Sequence, residues 1–213
     1  MQGKTHAAVG CATVLAVHLT VTGIPSMRHM VIAAAAGTAA AVLPDIDLES
    51  SKASKRAASV LFLISILALG ATVFVCIPQT GGLSGLFETS GVYNRQVLGA
   101  VMFIVYIRAG LQGPHRGFTH SVTALIAVSV SAYLVAGAFA TDVFAGYASH
   151  LVLDLLNKKG MRLLWPSEKT YCIGICTASG HADQVVHIIG IFVSAVEILI
   201  TFWVLIEGVQ IMT

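Results

Sequence analysis

Apolar stretches free of charge recur along the chain at the length of membrane helices, and the polar residues gather at their ends. The cleanest stretch runs from Ala57 to Ile77, and no charge follows it until Glu88. A second extends from Gly117 to Thr141, with His120 near its start as its one ionisable group. Shorter or weaker stretches cover His6–Ile24, His29–Val42, Val97–Leu111, Val143–Leu156 and Val185–Ile206. A bilayer core takes about 20 apolar residues per helix. The pattern therefore predicts an all-α, polytopic membrane helical bundle with about seven transmembrane helices. Within the second of these in chain order, Ala33, Gly37 and Ala41 fall four apart, a small-residue stripe suited to close helix packing. Lys4 ahead of the first apolar run also fits a signal peptide, but the role argued below for His6 keeps that run as a helix. No repeat and no long hydrophilic segment interrupts the series, which predicts one membrane-embedded domain over residues 1–213.

Composition narrows the classes further. Hydrophobic residues make up 56% of the chain and charged residues 10%, against about 25% charged in soluble domains. With a mean hydropathy of +0.86, this excludes an ordinary soluble domain, a disordered chain and a coiled coil, and makes the lipid bilayer the expected solvent. The net charge of +2 gives no argument for nucleic acid as a partner. Cys11, Cys76, Cys172 and Cys176 follow no disulfide or zinc-ribbon spacing, and they read as apolar fillers.

Charges this scarce carry topological information. With seven helices, the N-terminus and the loops after helices two, four and six share one side. That side holds Lys4, Lys52, Lys55, Arg56, Arg108, Arg116, Lys158, Lys159, Arg162 and Lys169, and the other holds Arg28 and Arg95. Basic loops stay in the cytoplasm, so the first side is expected to be cytoplasmic, with the C-terminus outside a plasma (inner) membrane.

Histidine and aspartate are costly in or near hydrocarbon, and four segments rich in them fall on that same side. His6 opens the first helix. Pro44-Asp45-Ile46-Asp47 closes the second. His115-Arg116-Gly117-Phe118-Thr119-His120 leads into the fifth, and Ser149-His150-Leu151-Val152-Leu153-Asp154 ends the sixth. His150 and Asp154, four apart on a helix, project from one face and can hold one divalent ion, although a buried His–Asp pair has the same spacing. Asp45 and Asp47 follow a helix-ending proline, and Asp47 could equally cap the next segment of chain. Gly117 lets the backbone bend between His115 and His120, and Thr119 is placed to cap the fifth helix. Arg116 cannot bind a metal but suits a phosphate or carboxylate; topology signalling alone would also account for it and for the Lys158–Arg162 group. Isolated histidines such as His18, His29 and His187 read as helix–helix hydrogen-bonding groups. Pooled, His6, His115, His120, His150, Asp45, Asp47 and Asp154 exceed one three-ligand zinc site and point to two or more divalent ions, zinc being expected.

In order and in motif, TH near the N-terminus, LPDID, HRGFTHS and GYASHLVLDLLNKKGMRLLWP resemble the YdjM family of inner-membrane proteins, described as membrane-bound metal-dependent hydrolases. The resemblance extends, with gaps, from His6 to about Gln184. It implies kinship with zinc-dependent phospholipase C and related zinc nucleases, helical enzymes whose clustered metals are held by His, Asp and an HxxxD pair. His150 and Asp154 match that pair, and His6, Asp45, Asp47, His115 and His120 would be the remaining ligands. Two positions depart from the family pattern. Leu48 stands where members often carry His. Ser179-Gly180-His181-Ala182-Asp183-Gln184 stands where many carry a glutamate, with Asp183 or His181 as the available substitute.

The expected activity is metal-assisted hydrolysis of a phosphoester, lipid or lipid-linked, at the cytoplasmic membrane face. Asp47 would accept the proton of a metal-bound water, and Arg116 would neutralise the phosphate, with Lys158 or Lys159 as further cations. Metal-ion transport, or a non-catalytic protein with a structural metal, are the competing expectations. Transport calls for polar groups at successive depths, for which only His18, His187 and Glu197 are available.

Overall fold

The computed structural model describes residues 1–24, 26–47, 91–112 and 114–207. Six helices account for most of them: α1 (Gly3–Val17), α2 (Met27–Val42), α3 (Gly91–Gln112), α4 (Val122–Ala136), α5 (Ala140–Leu155) and α6 (His181–Glu207). Each matches one of the expected spans. The seventh expectation, Ala57–Ile77, lies outside the described residues. Among those residues there is no strand, only isolated bridges between Asn157 and Cys176 and between Met161 and Tyr171 in the segment joining α5 to α6.

The expected small-residue stripe organises the centre of the bundle. Ala33 and Ala41 are fully buried, and Gly37 lies so close to Val14 of α1 that a Cβ would overlap that side chain. Gly10 of α1 meets Ala41 in the same way, and Gly146 of α5 meets the Gly37 carbonyl. With no side chain between them, α1, α2 and α5 pack almost backbone to backbone, which is how helices associate where lipid supplies no hydrophobic drive. α6 lies against α1, where Gly190 approaches Ala8 and Ser194 Oγ donates to the Ala8 carbonyl at 3.4 Å. α4 packs on α5, and α3 on α4.

Among the described residues, four stretches are long and apolar enough to cross a membrane: Gly3–Thr22, Met27–Ile46, Val122–Leu155 and His181–Glu207. The third doubles back, because His120 before α4 and His150 near the end of α5 touch, and the reversal falls at the 3-10 turn Gly137–Phe139. The apolar pattern predicts a fifth helix from Gly117 to Thr141; the structure holds it to Val122–Ala136. Its cap also differs from the expected one. Ser121 Oγ, not Thr119, accepts from Ala124 N–H at 3.1 Å, while Thr119 turns inward and is buried. The other described elements leave uncovered an apolar face of α6 that includes Ile188, Phe192, Leu199, Phe202 and Trp203, each more than half exposed.

Candidate metal centre

The four polar segments meet at one end of the bundle. His6 comes from the first turns of α1, Asp45 from the 3-10 turn Leu43–Asp47 after α2, His120 from the 3-10 turn Phe118–His120, and His150 and Asp154 from the end of α5. His6, His120 and His150 have no exposed surface, and Asp154 retains 1%.

Three donor atoms form a compact triangle. His120 Nε2 and His150 Nε2 are 3.2 Å apart, and Asp45 Oδ1 lies 3.6 Å from the first and 3.8 Å from the second. A point equidistant from all three lies about 2.1 Å from each, within the ~2.0–2.2 Å of zinc bonds to imidazole and carboxylate. The donor directions agree with the distances. His150 Nδ1 sits 2.7 Å from the Ala41 carbonyl oxygen, which can only accept, so Nδ1 carries the proton and Nε2 turns its lone pair to the triangle. His120 is held by its turn: Thr119 Oγ1 lies 3.1 Å from its Nδ1. The Tyr147 hydroxyl donates to the Thr119 carbonyl and stands 3.0 Å from the Tyr106 hydroxyl. These residues fit a divalent transition ion.

Asp154 borders the triangle, its Oδ2 3.6 Å from His120 Nε2 and 4.0 Å from His150 Nε2. Its other neighbours are cations and a histidine: Arg116 Nη2 at 2.8 Å, the α-amino group of Met1 at 2.7 Å and His6 Nε2 at 3.3 Å. The His6 ring stacks on that of His150 with centroids 3.8 Å apart. His6, His150 and Asp154 therefore make a second possible donor set that shares His150 with the first.

The remaining expected residues are placed less centrally. His115 is exposed, its ring 5.3 Å from that of His120, and it lines the cavity above the centre without joining either donor set. Asp47 closes the 3-10 turn, and its side chain lies outside the described part. Asp183 is buried, but it accepts from the backbone N–H groups of Gln2 and Ser179 at 3.3 and 3.1 Å, which ties α6 to the start of α1. His181 is exposed. Neither belongs to a donor set among the described residues. The bend expected at Gly117 takes another form: Arg116 adopts the left-handed conformation (φ 62°), whereas Gly117 is needed because a Cβ there would sit 2.7 Å from the Pro114 carbonyl oxygen.

A cavity of about 900 Å³ opens over the centre. Asp45 lines it from below, and Lys4, Arg116, Lys158 and Lys159 stand around it. Arg116 donates to the Lys159 carbonyl as well as to Asp154, so its guanidinium joins the wall of the cavity to the centre.

Sequence reasoning missed the positioning hydroxyls of Tyr106 and Tyr147, since a tyrosine in an apolar run carries no local sign of such a role. It also missed a third donor set at the opposite end of the bundle: His18, His29 and Asp142.

Fold and site together define a multi-pass helical membrane protein with a buried histidine–aspartate cluster beneath a basic cavity. The chain belongs to the YdjM inner membrane protein family, which it matches over residues 1–211. It is similar to inner membrane protein YdjM of Escherichia coli (strain K12) and to the protein of the same name from Shigella flexneri. Each is 37% identical over 59 residues, covering 24% of this chain and 30% of the relative, so the similarity spans less than a third of those proteins. No solved structure matches the chain. The family and the apolar helices put the protein in the inner membrane as a multi-pass protein.

Proposed function

We propose that the protein is a membrane-bound, metal-dependent hydrolase acting on an anionic phosphoester, lipid or lipid-linked, at the cytoplasmic face. The observation that carries this reading is the double position of Asp45. Its Oδ1 belongs to the triangle with His120 and His150, and the residue also lines a cavity ringed by four cations. An ion held there would be reached from the cavity, in the arrangement by which metal sites present water to a substrate.

Asp45, His120 and His150 would hold the ion, and Asp154 and His6 would complete the centre or support a second ion. A divalent ion held there would supply two things, an activated water at neutral pH and a positive charge on a phosphoryl oxygen. Lys4, Lys158 and Lys159 attract and neutralise the anionic group, and Arg116, already fixed by Asp154 and the Lys159 carbonyl, orients it. The burial of His120 and His150 keeps competing water from the donor atoms. The apolar helices beside the cavity favour a substrate whose other end remains in lipid.

Metal analysis of detergent-purified protein tests the reading, with wild type beside His150→Ala and Asp45→Ala, followed by a panel of chromogenic phosphodiesters and labelled phospholipids. Wild type is expected to carry stoichiometric zinc and to hydrolyse a member of the panel, and both variants are expected to bind less zinc than wild type and to lose activity. Zinc retained undiminished by both variants would remove the proposed centre. Metal lost without any hydrolysis in the wild type would leave a structural or transport site.

A further inference from the structure

At the opposite end of the bundle His18, His29 and Asp142 come together from the turn after α1, from α2 and from α5, each offering a donor atom within 4.8 Å of the others. α1 ends there in a π-helical turn, His18–Thr22, a distortion that recurs at functional sites. His18 Nδ1 lies 3.1 Å from the Gly23 carbonyl oxygen and 2.8 Å from Thr22 Oγ1. The carbonyl can only accept, so Nδ1 holds a proton and Nε2 faces Asp142 Oδ1 at 2.9 Å. The His29 ring stacks on Phe139 with centroids 4.9 Å apart and meets the His18 ring edge-on at 5.3 Å.

A second proton on His18 would satisfy one oxygen of Asp142 and nothing more. Asp142 is 1% exposed, and its Oδ2 is buried with no hydrogen-bond partner among the described residues. A carboxylate oxygen left so costs several kcal/mol in an apolar setting, and the His29 imidazole beside it would serve no polar purpose. A divalent cation takes one donor from each of the three side chains and neutralises the carboxylate. Two imidazoles and one carboxylate are a zinc donor set. The tautomer fixed by Gly23 matches the usual preparation of a ligating histidine.

We propose that His18, His29 and Asp142 form a second zinc site, separate from the centre at the other end of the bundle. Asp142 and Asp154 lie on the same helix twelve residues apart, about 18 Å along its axis. That distance is far too long for a shared binuclear centre. The three ligands come from three helical segments, so an ion held by them would clamp α1, α2 and α5 together at that end of the bundle. His29 is half-buried, so the site is not sealed on every side. The proposal does not depend on hydrolase activity.

The test is equilibrium zinc titration of chelator-stripped, detergent-purified protein in five forms: wild type, His150→Ala, His29→Gln, His29→Cys and the double variant of His150→Ala with His29→Gln. His29→Gln is expected to bind one zinc fewer than its parent in both backgrounds, and His29→Cys, which restores a ligand, to regain it. Cobalt substitution in His150→Ala should then give the absorption bands of a low-coordinate ion, and these should vanish in the double variant. Equal zinc binding by His29→Gln and its parent would overturn the proposal. An undiminished count in His150→Ala with a reduced one in His29→Gln would instead overturn the proposed hydrolase centre and leave this site standing. A count lost in His29→Gln and also absent from His29→Cys would mark a packing defect and sink the ligand assignment.

Discussion

His150 and Ala41 are joined by a hydrogen bond from Nδ1–H to a backbone carbonyl, at 2.7 Å, and the contact one turn away decides whether it can form. Four residues before each partner, Gly146 meets the Gly37 carbonyl at a distance that leaves no room for a Cβ. Gly146→Ala therefore sets two effects against each other. Alanine favours a helix by about 1 kcal/mol over glycine, but here its methyl must push α5 away from α2, and the obstacle is backbone that cannot rotate aside. We expect separation to win. Zinc affinity should fall about 10–100-fold, the usual loss on disturbing the partner of a ligating histidine, although no ligand has changed. Competition with a chromophoric chelator reads this directly, and an affinity equal to wild type would show that the Ala41 carbonyl does not orient His150.

Much of this arrangement was legible in the sequence because it is periodic. The i, i+4 spacing of His150 and Asp154, the stripe of Ala33, Gly37 and Ala41, and the proline before Asp45 are local patterns, and the structure uses each of them. What escaped depends on contacts between helices. Gly146 looks like any glycine in an apolar run until Gly37 is placed opposite it. Ser121 and Thr119 are equally good caps by residue type; in the structure Ser121 caps the helix, while the Thr119 side chain lies against His120 and its carbonyl accepts from the Tyr147 hydroxyl. Asp142 and His18 are 124 residues apart, and neither stands in a motif that announces the other.

Arg116 neutralises Asp154 at 2.8 Å in a setting where both side chains are largely buried. Arg116→Gln should lower the stability of the metal-free protein by roughly 2–3 kcal/mol, less than the ~3–5 kcal/mol typical of a broken buried pair, because the Met1 amine and His6 still face Asp154. A zinc ion held beside Asp154 would supply the missing positive charge. Added zinc should therefore raise the thermal midpoint of the variant more than that of wild type. Equal shifts in a melting assay would mean that the ion and Asp154 do not interact.

Glu197 lies in the apolar α6, 8% exposed, with Oε2 buried and without a hydrogen-bond partner among the described residues. A carboxyl group in that setting is a burden on stability. Glu197→Leu, close in volume, is expected to stabilise the protein by about 1 kcal/mol, or roughly 2–4 °C in thermal midpoint for a chain of this size. A lower midpoint in detergent would show that Glu197 has a stabilising partner in the intact bundle.

Seven basic residues of the described helices and loops fall at one end of the bundle or the other. Lys4, Arg116, Lys158 and Lys159 surround the cavity over the centre, and the Arg162 N–H bonds the Arg116 carbonyl beside it. Arg28 stands in the first turn of α2 at the other end, and Arg95 near the start of α3 lies over Tyr133 of α4. Basic residues are retained on the cytoplasmic side during insertion, so the centre should face the cytoplasm and the His18 end the opposite side. Single cysteines at positions 28 and 158, in a background with the native cysteines replaced by serine, test this in spheroplasts. A membrane-impermeant maleimide should label Arg28→Cys in intact spheroplasts and Lys158→Cys only after lysis. The reverse pattern would overturn the cytoplasmic assignment while keeping the two residues on opposite faces. Labelling of both before lysis would contradict the transmembrane arrangement of α2 and α5 themselves.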